Sequence, residues 1–214
     1  MEIFPRAALF SLPLSALFAA RMAAAPFDGV SIQTVPIADG VYQFITAPDG
    51  YVPNGNSVAI VNDADVLVFD TFTRPSTARK LVAEIRRITS KPVRWVVNSH
   101  WHPDHWSGNE VFAKEFPGVE FVASEETLRW MRNTGNAWPS ILSANLKKSE
   151  AAFEKERRTR KNDDGTSVTD EQLRKDEDEL RLERDFVAES LTVRRTFPTS
   201  TYQDALTTTL DGQP

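Results

Sequence analysis

The chain has no cysteine, which excludes disulfides and thiolate metal ligands within it. That absence does not fix a compartment, since exported proteins can also lack cysteine. There is no basic excess: 25 Lys and Arg against 30 Asp and Glu leave a formal net charge of −5 and a pI near 5.3. Nucleic acid is therefore not an expected partner, because no general electrostatic attraction favours it. No apolar run is long enough to form a stable membrane span; the most apolar stretch, Ala7 to Ala20, is short and is interrupted by Pro13. Histidine is scarce too, with three residues in 214, all between His100 and His105. The remaining composition, 41% hydrophobic and 26% charged, fits an ordinary soluble globular domain.

The scarce residue type is concentrated in one stretch, Val97-Asn98-Ser99-His100-Trp101-His102-Pro103-Asp104-His105-Trp106-Ser107-Gly108-Asn109. An apolar run, Val93 to Val97, precedes it and reads as a buried strand. The chain thus delivers His, His, Asp and His into the loop at a strand's C-terminal tip, where open sheets place their ligands. In extended backbone, residues two apart point the same way, so His100 and His102 are expected to face one cation. Asp104 and His105 follow a turn at Pro103, point elsewhere, and suit a second cation. Imidazole with carboxylate suits zinc, and a catalytic zinc keeps one position open for water. The plain alternative is a surface loop with accidental histidines.

The motif H-x-H-x-D-H after an apolar strand resembles the signature of the metallo-β-lactamase superfamily of zinc hydrolases. The flanks extend the resemblance: Gly55-Asn56-Ser57 before an apolar strand, Val66 to Asp70, then a helix before Lys91-Pro92-Val93. It runs through most of residues 30–125 and more loosely to the C-terminus, and is nearest to exported members with a charged helical insert. It implies an α/β fold, the αββα sandwich of that superfamily, represented here by its N-terminal half plus a helical hairpin insert. It implies one or two zinc ions on His100, His102, Asp104 and His105, although iron or manganese can occupy related sites. Asp104 is the catalytic carboxylate in that reading, holding the second zinc and orienting the attacking hydroxide. The reaction implied is hydrolysis of an ester, amide, lactam or thioester in a small-molecule substrate.

Taken in order, Ser31 to Val35 and Val41 to Thr46 read as strands around the turn Ala38-Asp39-Gly40. Residues 47–55 read as a mobile loop. Ser57 to Val61 and Val66 to Thr71 form a second hairpin around Asn62-Asp63-Ala64-Asp65. Asp70 ends that apolar strand. It either orients a metal-bound histidine from behind or caps a turn. The superfamily usually has a small glycine turn after this Asp, whereas here Phe72 follows Thr71. Pro75 to Thr89 is a helix with the apolar stripe Ala78, Leu81, Val82, Ile85 and Ile88. A helix from about Trp106 to Phe116, a strand Val119 to Ala123 and a helix Glu125 to Arg132 follow. Strands alternating with helices imply an α/β layer. Trp101 and Trp106 flank the motif, either as packing that excludes water or as substrate platforms.

The composition sets off a leader at 1–25 and a charged helical hairpin at 140–190, and the resemblance implies a metal-motif half-domain at 26–139 and the start of a second half at 191–214. The hairpin's second helix opens with the capping-box spacing Thr169-Asp170-Glu171-Gln172. Its narrow apolar seam is Leu173, Leu180 and Val187, widened by Leu182 and Phe186. It is either a solvated pair laced with charge pairs, or a lid over the site or a homodimer contact. Leu191 to Val193 and Ala205 to Leu210 read as short strands, and Asp211-Gly212 as the start of a hairpin turn. The resemblance implies a further histidine, a bridging carboxylate and a last histidine beyond that turn. Within the 214 residues each cation has two ligands, and neither Asp204 nor Asp211 has a spacing that favours substitution. A truncated non-enzymatic scaffold that binds a partner, or a protein that only captures metal, is the alternative to a hydrolase.

Residues 1–25 resemble a secretory leader, with Arg6, an apolar stretch to Ala20 and small residues Ala23-Ala24-Ala25; a buried N-terminal helix is the alternative. Export implies a periplasmic or secreted product. N-terminal sequencing of the protein from its native host is expected to find a start near residues 20–26. An intact Met1 on cytoplasmic protein would overturn this.

Overall fold

The computed structural model describes residues 30–46 and 55–207. The expected leader, residues 47–54 of the expected mobile loop, Asp211 and residues 208–210 of the last expected strand lie outside them. Seven strands form one mixed sheet in sequence order: β1 (Ile32–Ala38), β2 (Val41–Thr46), β3 (Asn56–Val61), β4 (Val66–Phe69), β5 (Val93–Val97), β6 (Glu120–Ser124) and β7 (Ser200–Tyr202). The first four pair antiparallel, as their short connections allow. From β4 onward the strands are parallel, because each connection now carries helices. These are α1 (Pro75–Ile88), then α2 (Pro103–Trp106) with α3 (Asn109–Glu115), then α4 (Glu125–Asn133), α5 (Trp138–Thr159) and α6 (Asp170–Ser190).

The core lies between the sheet and α1 and α3. Ala78, Leu81, Val82 and Ile85 from the α1 stripe meet Val66, Val68, Val93, Val96, Phe112 and Phe121. A register shift between the Val66 and Leu67 pairs lets Val93 and Val96, three apart in sequence, both enter that core. The α/β architecture expected from the motif is therefore present as one sheet with a helical layer. None of the described helices is long and apolar enough to cross a membrane.

Four local expectations differ from the structure. Strand β4 ends at Phe69 because Asp70 turns into the left-handed region at φ 61. The helix expected from Trp106 to Phe116 is two helices, broken at Ser107-Gly108. A Cβ on Gly108 would lie 2.0 Å from the Thr71 carbonyl oxygen, so the chain needs glycine at this crossing. Leu191 to Val193 is not a strand: the Leu191 and Thr192 amides continue the last turn of α6, donating to Val187 and Glu189. The strand after the hairpin is β7 instead, a three-residue segment beyond the expected position. Ala205 to Thr207 are irregular.

The hairpin begins at Trp138, two residues before the composition shift, and its base is packed. Leu142, Phe186 and Val187 form a small core with Trp138 and Leu146. The Arg74 guanidinium lies 4.8 Å over the Phe186 ring. The Glu189 carboxylate accepts from the Ser76 amide at 2.6 Å and its hydroxyl at 2.9 Å, capping the start of α1 from another element. Farther out, the contacts are exposed ion pairs such as Arg184–Glu150 and Lys155–Asp163, each worth about 0–1 kcal/mol. Thr169 caps α6 by accepting from the Gln172 amide, while the Gln172 side chain turns to Asp176.

This division sets the hairpin's stability. Amides of residues 150–178 are expected to exchange before those of β5. Phe186→Ala should cost about 3–5 kcal/mol in chemical denaturation, and Leu173→Ala, at a half-buried position, far less. Equal costs would show one continuous core along the seam.

Candidate metal centre

The motif loop hangs from the C-terminal ends of β4 and β5. Asp70, buried at the tip of β4, directs one carboxylate oxygen to the Ser99 amide at 2.8 Å. The other accepts from the Ser99 hydroxyl at 2.7 Å and lies 2.7 Å from His105 Nδ1. Asp70 thus bonds a turn amide and also faces a histidine ring nitrogen. With an Nδ1–H directed at Asp70, a neutral His105 carries its lone pair on Nε2. That nitrogen lies 3.2 Å from Asp104 Oδ2.

His100 and His102 form the second pair, with Nε2 of the first 2.9 Å from Nδ1 of the second. His105 does not point away from them, since its ring centre lies 3.9 Å from that of His100. Two ligands on a tetrahedral zinc at about 2.0–2.1 Å stand about 3.3 Å apart. The Asp104–His105 separation is close to this and the His100–His102 separation is shorter, within hydrogen-bond distance. Among the described residues no group of three or more His, Cys, Asp or Glu is arranged to hold a metal ion. Asp204 is exposed beyond β7.

Residues that pattern reading passed over fix the loop. Buried Asn98, Asn109 and Thr71 form one network. Asn109 donates to Asn98 Oδ1 at 2.8 Å and accepts from the Thr71 hydroxyl at 2.8 Å. The His105 carbonyl accepts from the Thr71 amide at 3.0 Å and from Asn98 Nδ2 at 3.1 Å. The signal available was position: two asparagines bracket the motif where a buried polar side chain must find partners. Gly55 closes the other side at φ +70, where a Cβ would stand 2.9 Å from the Asp104 carbonyl oxygen. Trp106 is packing, buried against Phe197 and donating to the Trp101 carbonyl at 2.9 Å. Trp101 is only half-buried and stacks on Trp130 with ring centres 5.9 Å apart.

The charges follow from this geometry. Burial alone would lower the pKa of His105, but hydrogen bonds to Asp104 and Asp70, and their charges, push it up to about 9. Burial would raise Asp104, yet the hydrogen bond and charge of His105 hold it below its ordinary value. His100 is lowered by burial and by the neighbouring His105 and His102, which favours the neutral form that binds metal.

The family model of the metallo-beta-lactamase superfamily matches residues 50–196. A linear primary-alkylsulfatase from a Pseudomonas species is 35% identical over 66 residues, covering 29% of this chain and 12% of that protein. A metallo-beta-lactamase from Hirschia baltica is 24% identical at a TM-score of 0.43, covering 49% of this chain and 48% of its own. The metallo-beta-lactamase FIM-1 from Pseudomonas aeruginosa, in its mono-zinc form, is 19% identical at a TM-score of 0.43, covering 52% and 50%. The chain thus spans about half the length of these structures and a much smaller part of the alkylsulfatase.

In metal-free protein the folded state holds a proton on His105 that the unfolded chain releases near pH 6.5. That contribution to stability is complete below about pH 6.5 and is lost as pH rises through about 9. With chelator present, the thermal midpoint is expected to fall over this window, and His105→Gln should flatten the fall. An unchanged slope in the variant would place the pH dependence elsewhere.

Proposed function

The chain belongs to the metallo-beta-lactamase superfamily, and from that premise we propose that it forms the metal-binding part of a zinc-dependent hydrolase acting on a small molecule. The observation that carries the reading is the two donor pairs on one loop, His100 with His102 and Asp104 with His105, backed by buried Asp70. His100 and His102 would hold one zinc ion, and Asp104 and His105 a second. When bound, the metal supplies Lewis acidity and lowers the pKa of water toward neutrality.

The chain's own residues position and exclude. Asp70 fixes the His105 ring through Nδ1 and keeps its other nitrogen toward Asp104. Asp104 is the carboxylate nearest the reacting centre, and its lowered pKa keeps it anionic and able to orient a nucleophile's proton. Buried Trp106 and the Asn98–Asn109 pair close the back of the loop. The bond cleaved is an ester, amide, lactam or thioester, and the alkylsulfatase relative adds a sulfate ester to that class. The leader at residues 1–25 supports export to the periplasm or beyond.

A second reading is metal capture without turnover, by a scaffold whose hairpin engages a partner or a second copy. It is favoured by the pairing of donors, which among the described residues offers each cation two protein ligands where a hydrolytic zinc generally has three.

Zinc titration by calorimetry separates these readings when run beside turnover of ester, lactam and alkyl sulfate substrates. Asp70→Ala is expected to weaken zinc binding about 10–100-fold, and His102→Ala to weaken it further, with the fold retained by circular dichroism. Zinc binding without turnover would select capture, and wild-type titrations in both variants would remove the motif from either role.

A further inference from the structure

Beside the motif lies a cavity of about 330 Å³ that neither donor pair accounts for. Its walls come from Trp101, His102 and Asp104 of the motif loop, Trp138 and Ile141 of the first turn of α5, and the turns at Thr73 and Thr134-Gly135. Among the described residues, His102 and Asp104 are its only titratable lining residues, and neither Lys nor Arg lines it. The rest of the wall is mostly apolar, and the apolar surface continues outward. Ile141 is 41% exposed, and Trp130, which stacks on Trp101, is 42% exposed. Large apolar side chains left partly in water around a concavity mark a binding site more often than chance exposure.

We propose that this cavity is an apolar-arm subsite, taking an alkyl or acyl chain of the substrate while its polar head reaches His102 and Asp104. The proposal rests on the hydrolase reading for the head and on the cavity alone for the arm. The absence of a lining cation argues against an anionic body, and the sparse hydrogen-bonding groups argue against a sugar or peptide. The volume is at the lower end of the range for small-molecule sites, about 300–1,000 Å³, which suits one chain. The hairpin thereby gains a role: its base supplies the wall that selects substrates, while its outer part remains a solvated pair.

Binding is tested without metal or turnover, on the whole chain in chelator, with the uncharged linear alcohols 1-butanol, 1-hexanol, 1-octanol and 1-decanol as probes. Calorimetry and tryptophan fluorescence report the affinity. Each added methylene is expected to tighten binding about two- to fourfold until the cavity is filled. Ile141→Glu should weaken 1-octanol at least tenfold. Ile141→Trp should cost the long probes more than the short ones. Ile37→Glu on β1, at another exposed apolar position, should change nothing. A second apolar groove, lined by Leu67, Trp95 and Leu206 on the sheet face away from the core, is checked by Leu206→Glu. Affinity independent of chain length, or lost with Leu206→Glu and retained with Ile141→Glu, overturns the proposal. Failure of zinc binding or turnover leaves the chain-length result standing. A flat chain-length series leaves the zinc titration standing, so the two failures are distinguishable.

Discussion

The structure depends on the corner at Asp70. A buried carboxylate at the end of β4 accepts two hydrogen bonds from Ser99 and faces His105 Nδ1, so one side chain ties the end of β4 to both ends of the motif loop. The corner takes left-handed backbone at Asp70 and again at bulky, fully buried Phe72, with φ of 61 and 69. Such conformations cost about 1–3 kcal/mol each and persist only where surrounding contacts fix them. Here the Asp70 amide bonds Val97, the Thr71 amide bonds His105 and the Phe72 carbonyl accepts from Gly108. A glycine turn would relieve the strain at Phe72 but would give up an aromatic ring from the core.

From that corner the electrostatics follow. His105 lies between two carboxylates, whose hydrogen bonds and charges hold its proton. In the proposed hydrolase a metal on the Asp104–His105 pair would displace that proton, coupling its occupancy to pH. At His100, burial and the neighbouring His105 and His102 outweigh the charges of Asp70 and Asp104 and lower its pKa. The two donor pairs thus differ in charge, the His100 ring biased toward its neutral form and the His105 ring toward its protonated form.

The charged hairpin has two physical regimes. At its base, Phe186 under Arg74 and Glu189 on the start of α1 bind it to the body of the molecule. Beyond that, exposed ion pairs contribute little, and the narrow seam leaves Leu173 and Leu182 half in water. The division places the stable part of an otherwise polar insert next to the motif, where Trp138 and Ile141 face the cavity beside His102.

The sequence alone determined the elements with strong local periodicity, including the α1 stripe, the β2 and β3 strands and the long charged helices. It also determined the candidate ligands, because three histidines and an aspartate confined to one strand-end loop carry their chemistry in residue type and spacing. Only the tertiary structure decided what depends on distant partners. The break before α3 comes from the Thr71 carbonyl packed against Gly108. The identity of β7 comes from pairing with β6, since Ser200-Thr201-Tyr202 has no pattern of its own. The roles of Asn98 and Asn109 come from burial that places two ordinary amides face to face. The approach of His105 to His100 was likewise invisible to alternation along an extended chain, because a turn at Pro103 and a carboxylate 35 residues upstream set that ring's direction. Local pattern fixes which groups are available, and long-range hydrogen bonding fixes where they point.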